Sequence, residues 1–210
     1  MTTAVIVMHI KEFVIKQIDT KKIIFILLTL YAGLIGWFSY NVYSLNQILI
    51  YAEHGILENT QAFTLLIACI VFFLPTVSQQ RPDKIILSFF SFLCLNFFLR
   101  EVDLRDLDVP AILQLIAAGN GRKIMITIGF VIIFAYAFLH RARYKDEVIK
   151  FIFSNKFVLM GIAAVFLFMS GFFEEANSVL HHVFLEELVE LFGYILILIV
   201  AIMSSKNSVK

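Results

Sequence analysis

The hydrophobic residues of this chain fall into six long apolar runs, separated by short polar segments. The runs cover residues 23–42, 58–77, 85–104, 124–139, 157–173 and 184–203. Each run is close to the roughly 20 residues that an α-helix needs to cross the hydrocarbon core of a bilayer. The pattern predicts an all-α integral membrane protein, a bundle of six transmembrane helices that forms one domain over residues 23–203.

The charged residues outside the apolar runs are sorted by sign, and this predicts how the chain sits in a membrane. The segments on one side of the six predicted crossings hold thirteen of the 17 Lys and Arg residues and five of the 16 acids. Basic residues concentrate on the cytoplasmic side of membrane proteins. We therefore expect both termini in the cytoplasm, with residues 1–22 as an amphipathic N-terminal segment and residues 204–210 as a tail.

The composition agrees with a membrane protein and argues against a nucleic-acid partner. The mean hydropathy is +0.90 and 16% of the residues are charged, whereas soluble domains carry about 25% charged residues. The formal net charge is only +1, and no basic stripe with interleaved aromatic residues occurs outside the predicted cytoplasmic segments. The modest size and short connections indicate a multi-pass protein of the plasma membrane, which is the inner membrane of a bacterial cell.

Four of the apolar runs reach across a bilayer only if polar residues extend their outer ends. The stretches 61–77, 85–99, 157–173 and 188–203 hold 15 to 17 residues. Their extension brings acids toward the membrane, where an ionised carboxylate at the centre costs about 2.5–3.5 kcal/mol unless it faces the interior and is paired. The sequence therefore predicts an outward-facing polar cluster formed by Glu58, Arg100, Glu101, Asp103, Glu186 and Glu190.

Helical spacing assigns most of these side chains to faces. Arg100 and Asp103 are three residues apart, so they share one face of the third run. Glu101 is adjacent to Arg100, and we expect its side chain to turn toward a different neighbour. Glu186 and Glu190 are four residues apart and lie on the same face of the sixth run.

A cluster with more acids than bases suits a bound cation or a proton. Arg100 and Arg105 are the only basic residues close in sequence to these acids. Some carboxylates must therefore be protonated, hydrated or bound to a cation. Intramembrane acids often serve in proton or ion transport, although the cytoplasmic halves of the six runs contain almost no ionisable residues. The first hypothesis is a cation-binding, proton-binding or transport-related protein.

The residues that precede the sixth run suggest a second hypothesis, a membrane-embedded metal-dependent enzyme. Its candidate ligands are His181, His182, Glu186 and Glu190, whose imidazole and carboxylate groups suit Zn, Mn or Fe. A divalent metal is the one cofactor that the sequence suggests. However, neither HExxH nor the paired Glu-x-x-His motif of di-iron bundles occurs, and no GxSxG motif marks a serine hydrolase. The sequence favours a protein that is not an enzyme.

The third hypothesis gives the polar cluster a structural role. The acids and Arg100 would then form an ion-pair network that joins helix ends, in an accessory protein that assembles with another membrane protein or with further copies of itself. The segment 140–156 combines five basic residues with apolar ones. Such segments bind anionic lipid headgroups, and we expect this interaction at the cytoplasmic surface.

Overall fold

The structure, a computed structural model, describes residues 19–52, 54–77, 81–102, 110, 114, 119–175 and 179–206. Within these ranges there is no β-strand, and seven α-helices have defined bounds. They are α1 (Thr20–Leu45), α2 (Ile56–Thr76), α3 (Lys84–Glu101), α4 (Gly119–Leu139), α5 (Arg141–Ile152), α6 (Asn155–Glu175) and α7 (His182–Ser205), with a short 3₁₀ helix at Ile48–Ile50.

Five helices, α1, α2, α4, α6 and α7, have 21 to 26 residues and are apolar enough to cross a membrane. This agrees with the predicted all-α membrane protein. The third predicted run forms α3, which has 18 residues and carries Lys84, Arg100 and Glu101 at its ends, so its apolar part is shorter than that of the other five. The count of six spans and the location of the termini stay predictions. Residues 1–18 and 207–210 lie outside the described residues.

Helix α7 forms the centre of the bundle. Half of its 24 residues are buried. It packs most extensively against α6, then against α2, and more sparsely against α1, while α2 in turn packs against α3. Helix α4 differs, because none of its residues is buried and its main neighbour is α3. An apolar helix surface of this kind suits lipid, which is as apolar as the side chains themselves.

Small residues allow α6 and α7 to approach closely. A Cβ atom on Gly193 would lie 2.9 Å from the Leu167 side chain and 3.2 Å from the backbone oxygen of Ala163. Small residues make such contacts between membrane helices because van der Waals packing supplies much of the attraction there. The close approach brings the Ser170 hydroxyl of α6 within hydrogen-bonding distance of α7.

Arg81 lies in the turn between α2 and α3 and binds the C-terminal end of α7. The Arg81 side chain is only 4% exposed and binds both carboxylate oxygens of Asp83 at 2.9 Å. It also donates to the backbone oxygens of Ser204, at 2.9 Å, and Ser205, at 3.4 Å. The last carbonyl groups of a helix lack partners within the helix and carry partial negative charge. Arg81 therefore stabilises the end of α7, a role that our sequence analysis did not predict.

A second arginine, Arg122, stabilises the C-terminal end of α3 in the same way. The Arg122 guanidinium, in the first turns of α4, donates to the backbone oxygen of Leu99 at 2.5 Å. Leu99 lies in the last turn of α3, where the carbonyl groups again need external donors. The bond joins α3 to α4 at the end of α3 that carries Arg100.

Candidate functional site

Three residues of the predicted cluster meet at the C-terminal end of α3. Arg100 Nη2 donates to Glu190 Oε2 at 2.5 Å, and Arg100 Nε donates to Glu101 Oε1 at 2.9 Å. Glu101 and Glu190 are each 8% exposed, whereas the Arg100 side chain is 46% exposed. The guanidinium thus reaches the surface of the bundle, and the two carboxylates are buried behind it.

Tyr194 and Ser170 complete the hydrogen bonds of this cluster. The Tyr194 hydroxyl, which is fully buried, accepts from Arg100 Nη2 at 2.9 Å and donates to Glu101 Oε1 at 2.8 Å. The Ser170 hydroxyl donates to Glu190 Oε1 at 3.0 Å, so both oxygens of Glu190 are paired. Helices α3, α6 and α7 are therefore joined by one network of charged and neutral hydrogen bonds, which we call the Arg100 cluster (Arg100, Glu101, Ser170, Glu190 and Tyr194).

Two members of the Arg100 cluster, Tyr194 and Ser170, were not predicted from the sequence. Tyr194 could have been found, because it follows Glu190 by four residues and so shares its helical face. Ser170 gave no signal beyond being a small hydroxyl residue in a membrane helix. The prediction that Glu101 turns toward a different neighbour is wrong, because Glu101 accepts from Arg100 itself. The long Arg100 side chain at the helix end folds toward its own neighbour while still reaching α7.

The remaining predicted acids have other positions. The Glu58 carboxylate accepts from the backbone N–H of His54 at 2.6 Å, and this bond closes the turn before α2. Glu186 lies in the first turns of α7, half-buried, within electrostatic range of Glu190 and His182. Asp103 lies outside the described residues.

Next to the Arg100 cluster, Gln61 of α2 contacts the start of α7. Gln61 is fully buried, and its Nε2 donates to the backbone oxygen of Glu187 at 2.6 Å. Its amide also lies beside the Glu187 side chain, whose charge is within range of those of Glu190 and Glu101. Helix α2 therefore contributes to this region through Gln61, one turn after Glu58.

Two buried oxygen atoms at this contact lack a hydrogen-bond donor in the described part of the chain. They are Oε1 of Gln61 and Oε2 of Glu187. An unpaired buried polar group costs about 1–3 kcal/mol, and more when it is charged. Both atoms are acceptors, so a water molecule, a proton on the carboxyl group or a bound cation would satisfy them.

His181 belongs to an aromatic group at the start of α7. Its Nδ1 shares a hydrogen bond of 2.9 Å with the Tyr51 hydroxyl. The rings of Tyr43 and Tyr51 meet the His181 ring edge-on, with centroids 5.5 Å and 5.8 Å away, and Phe184 packs against both tyrosines. These contacts hold the C-terminal end of α1 and the segment after it against the start of α7.

The predicted metal ligands do not form an assembled ligand group in the structure. His181 is bonded to Tyr51, and Glu190 is bonded to Arg100 and Ser170. Among the residues that the structure describes, no three His, Cys, Asp or Glu side chains are arranged to hold a metal ion. The metal hypothesis stays a prediction without support from this geometry.

The chain was compared with models of protein families, with curated protein sequences and with solved structures, and none of the three comparisons found a match.

The Arg100 cluster predicts a large loss of stability when its cation is removed. Arg100→Ala leaves two buried carboxylates without their charged donor, and breaking a fully buried ion pair costs about 3–5 kcal/mol. Because Arg100 is half exposed, we expect a smaller loss of about 2–3 kcal/mol in the free energy of unfolding. Unfolding in mixed detergent micelles of increasing SDS content measures this change.

Glu58→Gln is the matched control for Arg100→Ala. The amide oxygen of glutamine can still accept from the His54 N–H, so this variant should change stability by no more than about 0.5 kcal/mol. Equal unfolding curves for Arg100→Ala and the control would contradict the paired geometry.

Proposed function

We propose that the chain is a six-span protein of the plasma membrane, the inner membrane in a bacterial cell, with both termini in the cytoplasm. Five helices long and apolar enough to cross support this proposal, as does the sorting of basic and acidic residues between the two sides. In this orientation α3 is the remaining span, and α5 with its basic residues lies on the cytoplasmic side. The Arg100 cluster and Glu187 then lie toward the outer side.

We further propose that the contact between Gln61 and Glu187 binds a proton or a small cation. The observation that carries this proposal is the pair of buried acceptors, Gln61 Oε1 and Glu187 Oε2, without a donor among the described residues. A proton on Glu187 would turn its carboxyl group into a donor for the neighbouring amide. A cation would take carboxylate and amide oxygens of this kind as ligands.

The charges of the surrounding residues favour uptake of a positive charge. Arg100 is the one cation hydrogen-bonded to the described acids of this region, and its donors are directed to Glu101, Glu190 and Tyr194. Glu187 therefore lies within electrostatic range of three further carboxylates, those of Glu190, Glu101 and Glu186, without a cation of its own. Like charges at short distance in a medium of low polarity cannot all remain ionised. Binding a proton or cation at Glu187 lowers this repulsion.

Binding of a proton or cation at Glu187 would act through a change in conformation or through a partner protein. From the Arg100 cluster to their C-terminal ends, α2 and α7 contain no Asp, Glu, His, Lys or Arg residue, and the one thiol there is that of Cys69. A continuous relay of titratable groups across the membrane is therefore not built from these two helices. Uptake at Glu187 would instead change how tightly α2 packs on α7.

An accessory role is the second candidate, and the completeness of the Arg100 cluster favours it. Both oxygens of Glu190 are paired, and Tyr194 both donates and accepts. Such a closed network joins helix ends without any ligand. In this case the exposed apolar surface of α4 would meet a partner membrane protein or a second copy of the chain.

Glu187→Gln separates the two candidates. If Glu187 carries a proton, glutamine is a close mimic, because its amide can donate to Gln61, and stability should stay within about 0.5 kcal/mol of the wild type. Infrared spectra of the wild type in lipid nanodiscs should contain the C=O stretching band of a protonated carboxyl group. This band should be absent from Glu187→Gln and present in Glu186→Gln, the matched control.

The cation form of the proposal is tested in the same preparation. A bound cation should raise the thermal stability of the wild type as its concentration increases, and Glu187→Gln should abolish this dependence. If the wild type and Glu187→Gln give the same infrared bands and the same response to Na⁺, K⁺, Mg²⁺ and Ca²⁺, the site binds neither, and the accessory role is retained.

The orientation is tested by labelling single cysteines in intact cells after both native cysteines have been replaced. Val179→Cys, an exposed position just before α7, should react with a membrane-impermeant maleimide. Lys145→Cys, an exposed position on α5, should react only after the membrane has been permeabilised. The reverse pattern would place the termini outside and overturn the topology.

A further inference from the structure

A groove of about 290 Å³ lies between the end of α2, the start of α3 and the end of α4. One wall is apolar and consists of Ile85, Ile132 and Ile133. Its other lining residues include Lys84, Ser88 and Tyr136, which place a charge and two hydroxyl groups beside that wall. A groove with this mixture suits an amphipathic molecule with an anionic head.

The positive charge at this groove is not neutralised by its nearest acid. Asp83 precedes Lys84, but both of its carboxylate oxygens bind Arg81. For this reason Asp83 makes no side-chain cap to the first turn of α3, whose N–H groups attract negative charge. In the described part of the chain no carboxylate pairs with Lys84. The start of α3 and Lys84 therefore offer charge and donors to the same anion.

The neighbouring helix α5 extends the basic surface. Arg141, Arg143 and Lys145 are exposed on it, and the Arg143 guanidinium lies 5.8 Å from the centre of the Tyr144 ring. The rings of Tyr144 and Tyr136 are 6.1 Å apart, and Tyr144 is buried. Burial raises the pKa of Tyr144, so its hydroxyl group keeps its proton.

We propose that this groove binds one anionic phospholipid. Its phosphate lies against Lys84 and the first turn of α3, and an acyl chain follows Ile85, Ile132 and Ile133 along the outside of the bundle. Charge complementarity selects this occupant, because basic pockets between membrane helices on the cytoplasmic side bind anionic headgroups. The isoleucine wall explains why the ligand is a lipid rather than a free phosphate.

The groove is separate from the Gln61–Glu187 contact. Lys84 begins α3 and Glu101 ends it, so the two regions lie about 25 Å apart along this 18-residue helix. Lipid binding at one end and proton or cation binding at the other can therefore succeed or fail independently. Glu187→Gln should leave lipid binding unchanged.

Native mass spectrometry of the purified full chain tests the proposal. The protein is released from nanodiscs that contain equal amounts of phosphatidylglycerol and phosphatidylcholine, and the retained lipid is counted. We expect one phosphatidylglycerol to be retained in preference to phosphatidylcholine. Lys84→Gln should reduce this retention about fivefold, which corresponds to the about 1 kcal/mol that one basic residue contributes at an anionic surface.

Two further variants complete the test. Lys123→Gln removes an exposed charge from the opposite end of α4 and should retain the lipid as the wild type does. Ile133→Trp fills the groove from the exposed helix α4, whose residues are not part of the core, and should lower retention as much as Lys84→Gln. Equal retention of the two lipids, or wild-type retention by both Lys84→Gln and Ile133→Trp, would overturn the proposal.

Discussion

Polar groups that enter a lipid-facing bundle must find their partners within the protein, because hydrocarbon offers none. Helix α7 meets this requirement at its C-terminal end and near its middle. Arg81 binds its last carbonyl groups, and Arg100 binds Glu190 and Tyr194, the ninth and thirteenth of its 24 residues. Between these two anchor points α7 is apolar and packs closely against α6 and α2. The position of the central helix thus depends on two arginines that come from the two ends of the α3 region.

The hydrogen bonds of Arg100 also determine which acids of the candidate site have a charged partner. Arg100 is shared by Glu101 and Glu190, so its charge is used within the Arg100 cluster. Glu187 lies next to that cluster but outside its hydrogen bonds, in contact with the buried amide of Gln61. The Arg100 cluster therefore lies beside two buried oxygen atoms, Gln61 Oε1 and Glu187 Oε2, that have no hydrogen-bond donor among the described residues. The Arg100 cluster holds the helices together, and the pair of oxygen atoms is the site that we propose for a proton or a cation.

The sequence predicted the apolar helices well because hydrophobic length is read directly from the residues, whereas the orientation predicted from charge sorting stays a prediction. It also predicted the meeting of Arg100 with Glu190, since the short apolar runs draw both residues into the same region. It did not predict which side chains complete the hydrogen bonds. Ser170 and Arg81 act through contacts between distant helices, and no local pattern encodes such contacts. The Glu58 carboxylate accepts instead from the backbone N–H of His54 in the adjacent turn, because this nearby donor competes with the more distant Arg100 cluster.

Arg81 stabilises the C-terminal end of α7 and Arg100 stabilises its middle, and amide hydrogen exchange along α7 measures both effects. In Arg81→Ala, exchange should rise about tenfold or more around Ser204, which corresponds to about 1.4 kcal/mol of easier local opening, with little change near Glu190. Arg100→Ala should give the reverse pattern. Exchange that stays at the wild-type level around both Ser204 and Glu190, or that rises uniformly along α7 in both variants, would contradict these roles of the two arginines.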